Sequence, residues 1–426
     1  MPRRTCLHFS FAVLMSLCAA AQSGSVAQPA DAQTSLAALV SELKERNPEI
    51  QAARYRFEAA MKRPSQAGSL PDPKLNLSNF GVGHPVSALN DSNFAYRGLG
   101  ITQELPFPGK LALASEQAKK EADSEREMYG AALQDAIARL KAAYFEWASL
   151  VKQIEITRRN RDLLQRFEEI ARNRYSVGKG IQQEVLKAQV ELSSLAQELE
   201  ILRQKRASVE AQIQYLLGRD AEAPLGQPAE LKLSPLNAEL QSLLSASEKN
   251  SPRVRAQEFL IDSRAVGVER SKKEYRPDFA LSVQWQHTGS NFPDYYAATA
   301  EVKLPLYFWR KQRFGAEEAE SKLREAKESF RSTRQETAYL VKEQFLAAKS
   351  SERLLELYKS GTIPQATLAL DSTTSAYEVG KVDFLTLLNS LSSVLTFEKQ
   401  YYQELARHEQ ALARLEPLVG QELTQP

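Results

Sequence analysis

Two long stretches of the chain place apolar residues at alternating spacings of three and four, the pattern of a helix that packs along one seam. The first runs from about residue 111 to 177 without a proline. Its seam consists of Ile137, Leu140, Tyr144, Trp147, Val151 and Ile154. A helix of this length would extend about 100 Å. We therefore predict a coiled-coil-like helix that is longer than a globular core requires.

The same pattern predicts a return helix over 181–217, about half as long as the first helix. A second long helix is predicted at 311–377, with its own return helix at 383–417. We expect a further helix, about 238–273, to stack on the end of the first return helix, so that together they match the long helix. We expect an N-terminal helix, 35–63, to stack on the end of the second return helix, so that together they match the second long helix.

A different pattern, strict alternation of apolar and polar residues, predicts β-strands. From Asp278 to Gln286 one face carries Phe279, Leu281, Val283 and Trp285. The stretch 295–304 alternates likewise, and Leu75, Leu77, Leu99 and Ile101 repeat the pattern more weakly. Strands of about 9–11 residues with one apolar and one polar face are typical of membrane barrels. We therefore predict that the apolar face of 278–286 faces lipid.

Four such strands are too few for a closed barrel, because single-chain barrels begin at about eight strands. A membrane also admits no open sheet edge. Closure by three chains would give a barrel of about twelve strands. The alternative is a soluble sheet packed on the helices, although the polar residues on these strands do not suit a dry core.

The sequence contains a tandem duplication. Tyr175-Ser-Val-Gly-Lys returns about 200 residues later as Tyr377-Glu-Val-Gly-Lys, and other pairs recur at nearly the same offset. This period is too long for a solenoid repeat, so it indicates a duplicated unit of helix, strand, strand, long helix and return helix. The predicted organisation is a signal peptide at 1–27, repeats at 28–220 and 238–420, a linker at 221–237 and a tail at 421–426.

Composition supports export. Arg3 and Arg4 precede an apolar run and a small-residue cleavage site, which predicts a secretory signal, with a retained anchor helix as the alternative. Both cysteines, Cys6 and Cys18, lie in this segment, so disulfides are excluded from a mature chain that begins beyond Ala21. Lipidation of Cys18 remains open. With 55 basic and 53 acidic residues, the charge indicates no nucleic-acid partner.

Candidate catalytic chemistry is sparse. Of the four histidines, His84 and His287 lie in the strand hairpins and His408 stands alone on a helix, without metal-site spacing. We predict that the protein is not an enzyme and needs no cofactor or metal.

Together these features resemble the TolC-type outer-membrane efflux factors, over about residues 35–420. The resemblance rests on two helical tips, Arg174-Tyr-Ser-Val-Gly-Lys-Gly and Ala376-Tyr-Glu-Val-Gly-Lys-Val-Asp. It also rests on the corner Gln103-Glu-Leu-Pro-Phe-Pro-Gly-Lys110, which looks most like the heavy-metal efflux branch. The family implies a mainly α-helical chain whose homotrimer forms a 12-stranded outer-membrane β-barrel and a long periplasmic α-helical barrel.

The resemblance also assigns candidate site residues. Contact with a periplasmic adaptor is assigned to Val177, Gly178, Lys179, Val379, Gly380 and Lys381. A gate at the periplasmic entrance is assigned to Asp383, with Glu184 as a possible partner, although Thr386 stands where a second aspartate is expected. The alternative interpretations are tight helix–helix turns and, for Asp383, a charge that complements a helix N-terminus.

At the corner, Pro106 and Pro108 cannot donate backbone hydrogen bonds and end the strand, and Gly109 allows the turn into the helix. The predicted function is the outer-membrane duct of a tripartite efflux system. An inner-membrane transporter would drive export of metal cations or small toxic compounds through the adaptor. A duct for type I protein secretion is one alternative, and a periplasmic coiled-coil structural or adaptor protein is another.

Overall fold

The computed structural model describes residues 33–81 and 94–424. The predicted signal peptide with Cys6 and Cys18, His84, and the last two residues of the predicted tail lie outside these ranges. The helices are α1 (Leu36–Arg46), α2 (Pro48–Ala60), α3 (Arg63–Gly68), α4 (Lys110–Ser176), α5 (Gln182–Leu217), α6 (Leu240–Asn250), α7 (Pro252–Lys273), α8 (Lys311–Leu357), α9 (Ile363–Glu378) and α10 (Phe384–Val419). The strands are β1 (Gln33–Thr34), β2 (Lys74–Phe80), β3 (Tyr96–Leu105), β4 (Gln227–Pro228), β5 (Asp278–His287) and β6 (Tyr295–Lys303).

Helix α4 is the longest helix in the described part of the chain, and most other helices pack against it. It is 67 residues long, which corresponds to about 100 Å. Its first half packs on α7, where the Ser124 hydroxyl donates to the Ala256 carbonyl at 2.8 Å. Its second half packs on α5, where the Trp147 indole donates to Glu210 at 2.9 Å. The prediction that a return helix and a second helix together cover the long helix is therefore confirmed.

The predicted apolar seam forms the core. Leu140, Tyr144, Trp147 and Ile154 are buried, with Ile137 and Val151 packed beside them, against apolar residues of α1, α2, α5 and α10. A second cluster lies toward the ends of α4 and α9, and a third joins α6, α8 and α10. Buried apolar surface stabilises the fold by roughly 25 cal/mol per Å², so a narrow seam repeated along many turns stabilises the helix packing along its whole length.

Two predicted helices are divided in the structure. Asn47 separates α1 from α2, because Pro48 starts a new helix and the Asn47 side chain accepts from the Ile50 N–H at 2.9 Å as its N-cap. Ser251 and Pro252 divide α6 from α7 in the equivalent place. The stretches predicted at 35–63 and 238–273 are therefore helical but each divided in two, since proline cannot occupy a helix interior without loss of a hydrogen bond.

The N-terminal helix was expected beside the second long helix, and within a single chain this position was also wrong. Helices α1 to α3 pack on α4, and not on the second long helix. That second helix is interrupted as well: a π-helical turn, Tyr358–Thr362, lies between α8 and α9 and is followed by Pro364. A π-helical turn inserts a residue into the helical ladder, and such insertions often mark functional sites.

The four long strands form one antiparallel sheet in the order β2–β3–β5–β6. Within β5 the pairing places Val283 beside Ile101 of β3 on one side and Ala298 of β6 on the other. Strands β2 and β6 are therefore the two edges of the sheet. The short strands β1 and β4 pair in parallel elsewhere.

A buried polar network fixes the segment between the repeats. His408 is fully buried, and its ring nitrogens lie 2.7 Å from the Ser234 carbonyl oxygen and 3.0 Å from the Ala348 carbonyl oxygen. The neighbouring Glu409 accepts from the Ser234 N–H at 2.7 Å and from its hydroxyl at 2.8 Å. These bonds tie the segment to α8 and α10. His408, which stands alone on its helix in the sequence, therefore has a structural role in holding this segment.

Candidate functional site

The two helical tips have the same backbone geometry. At the first tip the Lys179 N–H donates to the Arg174 carbonyl at 2.8 Å, and the Gly178 N–H donates to the Tyr175 carbonyl at 3.0 Å. The second tip repeats both bonds from Lys381 and Gly380. This is the Schellman motif, which requires a residue with positive φ after the helix. Gly178 and Gly380 provide it with φ of 73° and 74°.

The tips also expose apolar side chains. Val177 is 66% exposed and Val379 is 68% exposed, each at the C-cap of its helix. A Cβ placed on Gly178 would meet no atom within 4 Å. The predicted docking residues therefore share a small apolar surface at the free end of each hairpin, flanked by Lys179 and Lys381.

Asp383 is the N-cap of α10. Its Oδ1 accepts from the Thr386 N–H at 2.9 Å and from the Thr386 hydroxyl. These hydrogen bonds hold the pKa of the Asp383 carboxyl below its ordinary value. The side chain thus carries its charge at neutral pH, and the helix-capping interpretation describes its contacts within the chain. Thr386, which replaces an expected aspartate, provides the cap donors.

Glu184 contacts the second tip. The Tyr377 hydroxyl donates to Glu184 Oε2 at 3.0 Å, although the two residues belong to different repeats. Burial, followed by the hydrogen bond and the charge of Glu184, raises the pKa of the Tyr377 phenol far above its ordinary value. The phenol therefore remains a donor across the physiological pH range. The structure thus places Glu184 in a bond with Tyr377 and Asp383 in the cap with Thr386, which are separate interactions.

Arg174 completes the link between the tips. Its guanidinium donates to the Tyr377 carbonyl and lies 4.7 Å from the centre of the Tyr377 ring, where a cation–π interaction is favourable. It also reaches the Lys179 carbonyl at 3.5 Å. The sequence motif included Arg174 and Tyr377 but assigned them no role. For Arg174 the sequence does hold a signal, because Ala376 stands where the second tip would repeat it. Tyr377 repeats Tyr175 and so carries no such signal.

The sheet exposes the predicted apolar face. Phe279, Leu281, Val283 and Trp285 are all exposed, whereas the alternate residues of β5 are partly covered. The matching face of the first repeat, at Leu75, Leu77, Leu99 and Ile101, is exposed as well. An apolar face of this size is unusual for a water-facing surface.

The corner between β3 and α4 spans the residues between Leu105 and Lys110. Gly109 has a φ of 92° and serves as the N-cap of α4, directly after Pro106 and Pro108. Asp278, at the start of β5, accepts from the Phe107 N–H at 2.9 Å and from the Lys110 ammonium at 3.0 Å. These bonds fasten the corner of the first repeat to the sheet of the second.

Neither a metal-binding cluster nor an apolar spanning helix is found in residues 33–81 and 94–424. No group of three or more His, Cys, Asp or Glu side chains in this part of the chain could hold a metal ion. His287, at the end of β5, instead pairs with Asp294 through Nδ1 and Oδ1 at 2.6 Å. None of the helices in these ranges is long and apolar enough to cross a membrane.

The comparisons with known proteins identify the family. The sequence profile described as outer membrane efflux protein matches residues 39–219 and 243–421. This chain therefore belongs to the outer membrane efflux protein family and is a protein of the outer membrane. No curated protein sequence matches it.

Solved structures of outer-membrane proteins share the fold. VceC from Vibrio cholerae is 19% identical, with a TM-score of 0.77 over 91% of this chain and 97% of VceC. CmeC, an outer membrane channel of Campylobacter jejuni, is 12% identical, with a TM-score of 0.78 over 90% of this chain and 85% of CmeC. CusC, described as forming a transmembrane channel, is 14% identical, with a TM-score of 0.77 over 93% and 95%.

Proposed function

We propose that three copies of this chain form the passive exit duct of a tripartite efflux system. The observation that carries this proposal is the sheet: it has an exposed apolar face and two edge strands, β2 and β6, with no partner strand in the described chain. In lipid, each edge must find a partner, because an unpaired backbone group costs several kcal/mol there. Edge-to-edge association of three four-stranded sheets satisfies both edges and closes a barrel.

The helices supply the second part of the duct. Helix α4 extends about 100 Å from the corner at Gly109 to the tip at Gly178, and α8 with α9 runs a similar course in the second repeat. Three copies arranged about one axis would continue the barrel as a helical tunnel. This arrangement places the sheet in the outer membrane and the tips at the periplasmic entrance.

The tips then carry two roles. Val177, Gly178, Lys179, Val379, Gly380 and Lys381 form the contact surface for a periplasmic adaptor, which joins the duct to an inner-membrane transporter. The Tyr377–Glu184 bond and the Arg174 contacts hold the second tip against the first, and Asp383 places a carboxylate at the start of α10. We propose that these contacts keep the entrance closed at rest.

The duct conducts its cargo and catalyses no reaction. The cargo is metal cations or small toxic compounds, and the Pro-Phe-Pro-Gly-Lys corner favours metal cations, because this form resembles the heavy-metal branch. Complementation tests the cargo: a strain lacking the gene should become sensitive to particular metals or drugs, and the gene should restore resistance. Restored secretion of a polypeptide, without restored resistance, would instead support the secretion duct.

Planar-bilayer conductance of the purified protein tests the duct itself, with the oligomer mass determined in the same detergent. A trimer that gives small, cation-selective currents is the expected result. A monomer or dimer that gives no current would contradict the barrel and favour a periplasmic coiled-coil protein.

A further inference from the structure

A basic cavity lies where the second repeat leaves the sheet. It has a volume of about 730 Å³ and is bounded by α7, the start of α8, the first residues of α4 and the ends of β5 and β6. Seven basic and three acidic side chains line it. The cavity therefore has an excess of positive charge that the nearly neutral chain as a whole does not show.

The acidic residues of the cavity already have basic partners. Asp278 and Glu274 both pair with Lys110, and Glu318 pairs with Lys322. Four of the remaining basic residues form no ion pair within the described part of the chain: Arg270, Arg276, Lys303 and Lys311. Charges gathered in this way repel one another unless an anion lies between them.

The opposite wall of the cavity is apolar. Leu304, Leu306 and Tyr307 line it, and each is at least 60% exposed. Beyond them Phe308 and Trp309 are also exposed, in edge-to-face contact with ring centres 5.2 Å apart. Tyrosine and tryptophan, here Tyr307 and Trp309, favour the headgroup level of a membrane.

The cavity also contains a polar group without a partner. The side-chain amide oxygen of Gln312 is buried and accepts no hydrogen bond in the described chain. Since an amide can present either its oxygen or its NH₂ group after rotation, Gln312 can offer a donor to an anion in the cavity.

We propose that this cavity binds the phosphate group of an anionic phospholipid in the periplasmic leaflet of the outer membrane. Arginine and lysine are the usual phosphate ligands. The apolar wall, continuous with the exposed face of β6, would receive the start of the acyl chains, which a free phosphate ion could not use. This inference rests on the proposed function, because it requires the sheet to lie in the membrane.

The test uses the full-length mature protein purified in mixed micelles. Native mass spectrometry counts the lipids retained per oligomer when the micelles contain dioleoyl phosphatidylglycerol or, separately, dioleoyl phosphatidylcholine. The variant Arg276→Gln with Lys311→Gln removes two basic groups whose side chains make no hydrogen bond to residues 33–81 or 94–424. The matched control, Lys187→Gln with Lys205→Gln on α5, removes two charges that are also exposed and form no ion pair with the described residues, far from the cavity.

We expect the wild type and the control to retain phosphatidylglycerol in preference to phosphatidylcholine. Each charge removed from the cavity should weaken retention about fivefold. Equal retention by the cavity variant, or an equal loss in the control, would overturn the proposal. Displacement of the bound lipid by soluble glycerol 3-phosphate at low millimolar concentration would also overturn it, since the site would then serve a soluble anion.

The same samples separate this inference from the proposed duct. Oligomer mass and bilayer conductance report on the duct and should be unchanged in both double variants. A conducting trimer without lipid preference refutes only the lipid site. Loss of the trimer and of conductance in the wild type refutes the proposed function.

Discussion

The hydroxyl of Tyr377 donates a hydrogen bond of 3.0 Å to the carboxylate of Glu184 and so joins the helix before the second tip to the helix after the first. This contact crosses the boundary between the two repeats. Arg174 reinforces it by covering the Tyr377 ring and by donating to the Tyr377 carbonyl. Because the contacts connect the two hairpins at their free ends, they would restrain opening of the entrance in the proposed duct.

Removal of the phenol hydroxyl should loosen the tips. Tyr377→Phe keeps the buried ring but removes the bond to Glu184, which as a charged acceptor contributes about 1.5–3 kcal/mol. We expect higher single-channel conductance and more open time in planar bilayers. Tyr175→Phe is the matched control, because Tyr175 occupies the equivalent position of the first tip and is 47% exposed. Equal conductance of Tyr377→Phe and wild type would contradict a restraining role.

Two substitutions of Asp383 separate its charge from its helix cap. Asparagine caps a helix about as well as aspartate does, whereas alanine cannot. If the charge contributes to a cation-selective entrance, Asp383→Asn should reduce cation selectivity as much as Asp383→Ala. If only the cap matters, Asp383→Asn should behave as wild type, and Asp383→Ala alone should change conductance.

The pH dependence of selectivity provides a second measurement at Asp383. Its pKa is lowered from the ordinary value of 3.8 by the hydrogen bonds from Thr386. The carboxylate therefore stays charged above that value and loses its charge only as the pH falls through the lower folded-state pKa. Cation selectivity that depends on Asp383 should be constant from neutral pH to about pH 5. A decline near neutral pH would assign selectivity to another group.

Charge at the tips should block adaptor docking. Gly178→Arg places a bulky cation on the exposed turn, and we expect efflux to be lost while the trimer forms normally. The positive φ of Gly178 also strains any other residue, so Gly178→Asn is the control, because asparagine tolerates this backbone better than most residues. Normal efflux by Gly178→Arg in a susceptibility assay would remove the docking assignment. If Gly178→Asn also loses efflux, the loss is caused by distortion of the turn and not by the added charge.

Substitution by lysine should lower the trimer yield at one residue of β5 and leave it unchanged at the neighbouring residue. Val283 lies on the exposed apolar face, and Ser282 lies on the other face of the same strand. A lysine that faces lipid near the middle of the bilayer costs about 2–4 kcal/mol, whereas a lysine on the lumen side is tolerated. We expect Val283→Lys to lower the yield of folded, heat-resistant trimer on gels and Ser282→Lys to leave it unchanged. The reverse result would assign the faces the other way round.

The buried carboxyl of Glu409 should make stability fall with rising pH. Burial raises its pKa above the ordinary value, despite the hydrogen bonds from Ser234. A group with a raised pKa in the folded state binds its proton more tightly there, so its contribution to stability declines as the pH rises from the ordinary glutamate range through the folded-state value. Glu409→Gln should flatten this part of the curve of melting temperature against pH, whereas Glu320→Gln, at an exposed position, should not. An unchanged curve in Glu409→Gln would contradict the assignment.

The sequence by itself determined the elements that depend on local chemistry. The seam from Ile137 to Ile154, the alternation from Phe279 to Trp285, and the glycines at positions 109, 178 and 380 each correspond to a helix face, a strand face or a positive φ in the structure. These features are set by side-chain period and by backbone sterics, which act over a few residues. The duplication made it possible to predict the order of the elements, and the family resemblance made it possible to predict the class of protein.

Only the tertiary structure decided which distant residues meet. The bonds of Tyr377 to Glu184, of Asp278 to Lys110 and of His408 to the Ser234 carbonyl join residues more than 160 positions apart. No local pattern encodes such pairs, because they depend on how two long helices and two repeats align along the axis. The same reason explains why the packing of α1 to α3 on α4 was mispredicted: an amphipathic helix shows that one of its faces is buried, and the geometry of the whole chain selects the surface that covers it.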